Sequence, residues 1–91
     1  MEAPRDRVNL IRSALQKLEI TQLTIHDESP MHAGHAGARK GGGHFAIDIV
    51  SNAFTGKSAV QRHQMIYEAL GDLMTSEIHA ISIQAKAPEE V

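Results

Sequence analysis

A chain of 91 residues makes one domain with one small core, near the lower end of what folds without a disulfide or a structural metal. There is no cysteine, which excludes a disulfide framework, a Cys-based zinc site and a thiol nucleophile, and which fits a reducing compartment. The formal charge of −2 with neutral histidines disfavours tight, sequence-independent binding to a polyanion, although protonation of all 6 His would reverse its sign. No signal-peptide-like apolar run follows Met1, and no stretch is long and apolar enough to span a bilayer, so we expect a soluble, cytoplasmic protein that does not enter a membrane.

Val8, Ile11, Ala14 or Leu15, and Leu18 recur at helical spacing with Arg5, Arg7, Arg12 and Lys17 between them, which predicts a short amphipathic helix ending near Lys17. Leu23 and Ile25 alternate with Thr24 and His26, the pattern of a half-buried strand. From Asp27 to Gly43 the apolar pattern vanishes and 5 of the 7 glycines occur. A loop over about residues 28–43 is long for so small a domain, and such loops carry binding groups. Phe45, Ile47 and Ile49 then alternate with Ala46, Asp48 and Val50 as a second strand closed by Ser51 and Asn52.

Residues 53–57 read as a turn. Ser58 and Gln61 have the spacing of a capping box for a second helix, in which Ile66, Ala69 or Leu70, and Leu73 form the buried stripe, with Tyr67 beside it. After a break near Thr75 and Ser76, a last strand is expected to place His79, Ile81, Ile83 and Ala85 on one face, with Pro88 ending it. The strand–helix–strand run over residues 44–86 is long enough for a crossover, so its two strands should be parallel and the first strand antiparallel. The expectation is an α+β domain over residues 1–91, with element order αββαβ, a three-stranded mixed sheet and helices on one face.

Thr55-Gly56-Lys57-Ser58, between a strand and a helix, imitates the end of a phosphate-cradling loop. That pattern needs a glycine at position 51, where Ser51 stands, and a turn followed by a helix cap accounts for the residues. Gly34-His35-Ala36-Gly37 matches the short loop by which KH domains clamp a nucleic-acid backbone, but here it joins two strands and not two helices. Lys57 and Arg62, at the start of the second helix, are candidate phosphate contacts, with a solvated basic edge as the plainer reading. The imidazoles carry more chemistry. Neutral histidines are borderline donors suited to zinc, iron and copper, and His32, His35 and His79 place them on the loop and at a strand end. A lone strand-end histidine also serves as a hydrogen-bonded structural residue. No nucleophile–base–orienter set is evident, so no enzyme activity is expected.

Taken in order, the chain resembles the BolA family from about Leu15 to Glu90. The resemblance rests on Asp27-Glu28-Ser29, the His-bearing loop, Gly43-His44-Phe45, Val50-Ser51, Phe54-Thr55-Gly56-Lys57-Ser58, Arg62-His63 with Met65-Ile66-Tyr67, and Ile78-His79-Ala80-Ile81-Ser82-Ile83 followed by Lys86-Ala87-Pro88. It implies the αββαβ fold of the KH type (type II). It implies as partner a monothiol glutaredoxin, with which such proteins form a heterodimer that shares a [2Fe-2S] cluster. The glutaredoxin supplies one thiolate and bound glutathione another, while this chain would contribute His79 and a loop imidazole, His32 or His35. His63 belongs to the same pattern, on the helix. On this basis the function expected is an iron–sulfur trafficking or regulatory adaptor whose isolated chain holds no stable cluster. The alternative that the family also allows is a DNA-binding transcriptional regulator acting through the turn and second helix, with weak DNA binding at Lys57 and Arg62, helped by Arg39 and Lys40.

Overall fold

The computed structural model describes residues 6–28 and 43–91. The candidate ligands His32 and His35, the candidate cations Arg39 and Lys40, and nearly all of the expected loop lie outside the described residues.

Helix α1 spans Arg7–Leu15 and is capped by Asp6, whose carboxylate accepts from the Asn9 N–H at 3.1 Å. The α-helical part ends at Leu15, and a single 3-10 turn, Gln16–Leu18, completes the periodic pattern. Glu19, at φ 49° in the left-handed region, then turns the chain into strand β1, Ile20–Asp27. Strand β2 spans Gly43–Ser51, and a 3-10 turn, Asn52–Phe54, occupies part of the segment expected to be a plain turn. Helix α2, Ala59–Leu70, begins at the expected capping box: Gln61 N–H donates to Ser58 Oγ at 3.1 Å, and Ser58 N–H donates to Gln61 Oε1 at 2.8 Å. It stops at Gly71, whose φ of 54° suits a residue without a Cβ. Leu73 therefore belongs to a separate short helix, α3 (Leu73–Ser76), and not to the stripe of α2. Strand β3 spans Ile78–Lys86, and a 3-10 turn, Pro88–Glu90, follows it.

The sheet order is β1-β2-β3, with β1 antiparallel and β3 parallel to the central strand. Alternation along β2 decides the layering. Phe45, Ile47, Ile49 and Ser51 are buried, whereas His44, Ala46, Asp48 and Val50 project to the other face. Helices α1 and α2 cover the buried face, where Ile11, Leu15, Ile66, Ala69 and Leu70 meet the strand residues together with Phe54, Ile78 and Ala87. Burial of each large apolar side chain contributes on the order of 1.5–3 kcal/mol, so this one cluster supplies most of what holds the domain together. Ser51 is buried but satisfied: its hydroxyl donates to the Leu18 carbonyl and accepts from the Ala53 N–H at 3.0 Å.

Two charged contacts tie the ends of the chain to this core. Arg7 Nε donates to the buried Glu77 carboxylate at 3.1 Å, which anchors the start of α1 beside the start of β3. Arg62 on α2 pairs with Glu90 at 2.6 Å and also donates to the Ala85 carbonyl at 3.0 Å, which closes the C-terminal turn over the helix.

Candidate metal centre

The C-terminal end of β1 and the N-terminal ends of β2 and β3 share one edge of the sheet, because β1 is antiparallel and β3 parallel to β2. That topology gathers His26, His44 and His79, one from each strand, around the point where the segment 29–42 leaves and re-enters. The backbone there is closed by hydrogen bonds. Glu28 N–H donates to the His44 carbonyl at 2.7 Å, and Gly43 N–H donates to the Glu77 carbonyl at 2.9 Å.

His79 does not share the face of Ile81, Ile83 and Ala85, contrary to the simple alternation expected for β3. Gly43 pairs with Ile78, but His44 pairs with Ala80, so one step along β2 opposes two along β3. The extra residue makes a β-bulge at His79. Ile78 and Ile81 both turn toward the core with two residues between them, and His79 is left exposed. Its imidazole lies beside that of His44, with ring centroids 5.0 Å apart and planes tilted by 46°. On the other flank, His26 Nε2 lies 3.7 Å from an Asp48 carboxylate oxygen, with both side chains more than half exposed. Among the described residues, no three His, Asp or Glu side chains converge as a closed metal site.

The remaining candidates lie elsewhere. His63 is half-buried on α2 and meets Tyr67 edge-on with centroids 6.4 Å apart, away from the strand ends. Lys57 is exposed in the turn before α2. Arg62 is committed inside the domain. Its Nε donates to the Lys57 carbonyl at 2.9 Å, its two Nη atoms donate to Glu90 at 2.6 and 3.2 Å, and its guanidinium carbon sits 6.0 Å from the centre of the Phe54 ring. The Glu90 bond raises the Arg62 pKa further. Reciprocally, that bond, helped by the Ala87 N–H, holds the Glu90 carboxyl below its ordinary value. These bonds count against Arg62 as a phosphate contact, because reaching a phosphate would mean giving them up. Sequence reasoning placed His44 in a family motif but not in the site. Its neighbour could be found only from the register of β3.

The BolA-like protein family model matches residues 15–90. The chain belongs to the BolA family. It is 48% identical over 87 residues to SufE-like protein 1, chloroplastic/mitochondrial, of Arabidopsis thaliana, covering 89% of this chain and 24% of that protein. It is 40% identical over 92 residues to protein BOLA1, chloroplastic, of the same plant, covering 97% and 58%. The BolA-like chain thus spans only part of the length of these curated relatives. Among solved structures, the BolA domain of SufE1 from Arabidopsis thaliana superposes with a TM-score of 0.80 at 46% identity, covering 98% of this chain and 100% of that one. BolA1 from Arabidopsis thaliana gives 0.81 at 40% identity, covering 98% and 99%. The α+β fold with a three-stranded mixed sheet is therefore that of its family.

Proposed function

We propose that this BolA-like chain is an iron–sulfur trafficking or regulatory adaptor that shares a [2Fe-2S] cluster with a monothiol glutaredoxin and its bound glutathione. The observation that carries the reading is the bulge that sets His79 outward, exposed, at the sheet edge where the His-bearing segment is attached. The donor chemistry fits half of such a cluster. Imidazoles can replace thiolates on iron, and a chain with 6 His and no Cys has no thiolate of its own to complete the set. His79 would hold the cluster from this side, with His32 or His35 as the second imidazole of the family pattern. When bound, the cluster would supply electron-transfer or transferable iron–sulfur chemistry. The protein's own part would be to present the strand-mounted imidazole of His79 and to leave the thiolate positions to the partner.

We read the chain as a non-enzymatic adaptor in a cytoplasmic setting, in keeping with its lack of thiols. Among the described residues, no helix is long and apolar enough to cross a membrane. Against the DNA-binding alternative stands the engagement of Arg62, one of its two candidate cations, by Glu90. The test is reconstitution. The chain mixed with a monothiol glutaredoxin, glutathione, iron and sulfide should give a heterodimeric [2Fe-2S] species, whereas the chain alone should hold no stable cluster. A stable stoichiometric cluster on the isolated chain would overturn the shared site.

A further inference from the structure

We propose that the outer edge of β1 is a self-association surface, to which a second copy of this chain adds its own β1, antiparallel, about a two-fold axis at Thr24. In the sheet order β1-β2-β3, no described strand lies beyond β1. Its backbone groups divide by parity. Glu28 N–H donates to the His44 carbonyl, and the register runs without a shift from Asp27 opposite Phe45 to Gln22 opposite Val50. In an antiparallel ladder every second residue exchanges bonds with its opposite, so Thr24 and His26 turn their N–H and C=O groups to β2, while those of Leu23 and Ile25 point outward from the edge. Such outward groups template a further strand, and edges are ordinarily blunted by Lys, Pro or a bulge. From Ile20 to Ile25 there is neither a charge nor a Pro, and the register shift of β1 falls at its start, between Ile20 and Gln22. The opposite edge of the sheet is blunted: β3 carries the bulge at His79 and ends in Lys86.

The side chains select a second copy as the occupant and set its register. About an axis at Thr24, Leu23 lies opposite Ile25 of the second copy and Ile25 opposite its Leu23, so the outward backbone groups meet in two reciprocal pairs. Leu23 and Ile25 pack against the core cluster yet are only half-buried in the single chain, and this pairing sets apolar against apolar. On the other face, exposed Gln22 meets His26 of the second copy, and two exposed threonines meet on the axis. The neighbouring registers fit less well. An axis at Leu23 sets Asp27 opposite Glu19 of the second copy, like charge against like, and an axis at Ile25 sets Leu23 opposite Asp27. An axis between two residues pairs an outward residue with an inward one and makes no backbone bonds. The contact is isologous. It is also small, below the roughly 1,200 Å2 of stable interfaces, so the dimer is weak. Antiparallel pairing leaves the histidine-bearing strand ends on opposite sides of the dimer, and the proposal stands apart from the adaptor reading.

The test is sedimentation of the full chain without any partner from about 10 µM to about 1 mM, the span suited to so small a contact. The expected result is a monomer that passes to a dimer as concentration rises, with slower hydrogen exchange at the Leu23 and Ile25 amides in the concentrated sample. Thr24→Lys places two like charges on the axis at an exposed position, and it should raise the dimer dissociation constant by at least about tenfold. Far-UV circular dichroism and the melting temperature establish that the variant is folded, and Thr24→Glu replaces it if it is not. A second arm uses the absence of cysteine. Opposed residues of a non-hydrogen-bonded pair have Cα atoms about 4.5 Å apart, within disulfide reach. Under oxidised glutathione, Thr24→Cys should therefore cross-link into a covalent dimer well before Gln84→Cys, which is exposed on β3. A wild-type chain that stays monomeric throughout, a folded charge variant that dimerises as before, or cross-linking of Thr24→Cys no faster than that of Gln84→Cys overturns the edge pairing.

Discussion

His79 and Glu90 show how one side chain can belong to chemistry or to architecture. His79 stands exposed on a bulge, and the neighbouring core is supplied by Ile78 and Ile81. His79→Ala should therefore change the stability of the apo protein by no more than about 0.5 kcal/mol, the range for surface positions, while the imidazole signature of a cluster shared with glutaredoxin disappears. An unfolded variant, or an unchanged visible circular dichroism spectrum of the mixed cluster, would assign this histidine a structural role. Glu90 is the opposite case. Its carboxylate accepts from Arg62 and from the Ala87 N–H, and its pKa lies below the ordinary value in consequence. A depressed folded value means that the contribution to stability is complete above the unfolded carboxylate pKa and is lost as pH falls through the folded one. The melting temperature of wild type should thus exceed that of Glu90→Gln at neutral pH and converge with it only as pH falls through the depressed folded value, a reading taken from paired thermal melts. A difference that grows on acidification would contradict the sign.

At the scale of elements, helix α2 is defined by its ends. The Ser58–Gln61 box satisfies two backbone groups at the start, and Gly71 adopts a positive φ at the end. Ser58→Ala should cost about 1 kcal/mol, and in a domain of this size that lowers the melting temperature by roughly 4–8 °C. The 3-10 turn after β2 has a comparable role through Phe54, which is fully buried beneath Arg62 and α2. Phe54→Ala removes a ring that nothing nearby can replace, so a loss of about 3–5 kcal/mol is expected in denaturant unfolding. That loss would consume much of the stability of a domain this small.

For the whole molecule, charge and topology bear on the choice of partner. The chain carries 9 Lys and Arg against 11 Asp and Glu, and Arg62 is bound internally. Few cations remain to displace counterions, so retention on duplex DNA should be weak at physiological salt, with a shallow salt dependence that Lys57→Ala lowers further. Nanomolar, sequence-specific binding that survives about 0.2 M salt would favour the regulator reading instead. On the proposed reading, the metal-bearing partner meets the edge where three strand ends come together. It bears the imidazoles of His26, His44 and His79 on three hydrogen-bonded strands.

Much of this was legible in the sequence alone. Alternation through Phe45, Ile47 and Ile49 identified the core face of β2, the spacing of Ser58 and Gln61 located the start of α2, and the length from residue 44 to 86 sufficed for a parallel crossover, because each of these is a local or topological constraint written in the order of the residues. Register is of another kind. Whether β3 slips by one residue against β2 depends on how Ile78 and Ile81 both reach the core, and that is decided by packing between elements distant in sequence. The periodic reading therefore put His79 on the wrong face and left His44 without a neighbour. In the same way, Arg62 read as a free cation until tertiary contact brought it to Glu90, 28 residues away along the chain. Local patterns determined the elements and the supply of imidazoles; the packed sheet decided which imidazoles meet, because side-chain direction at a bulge follows from the strand beside it.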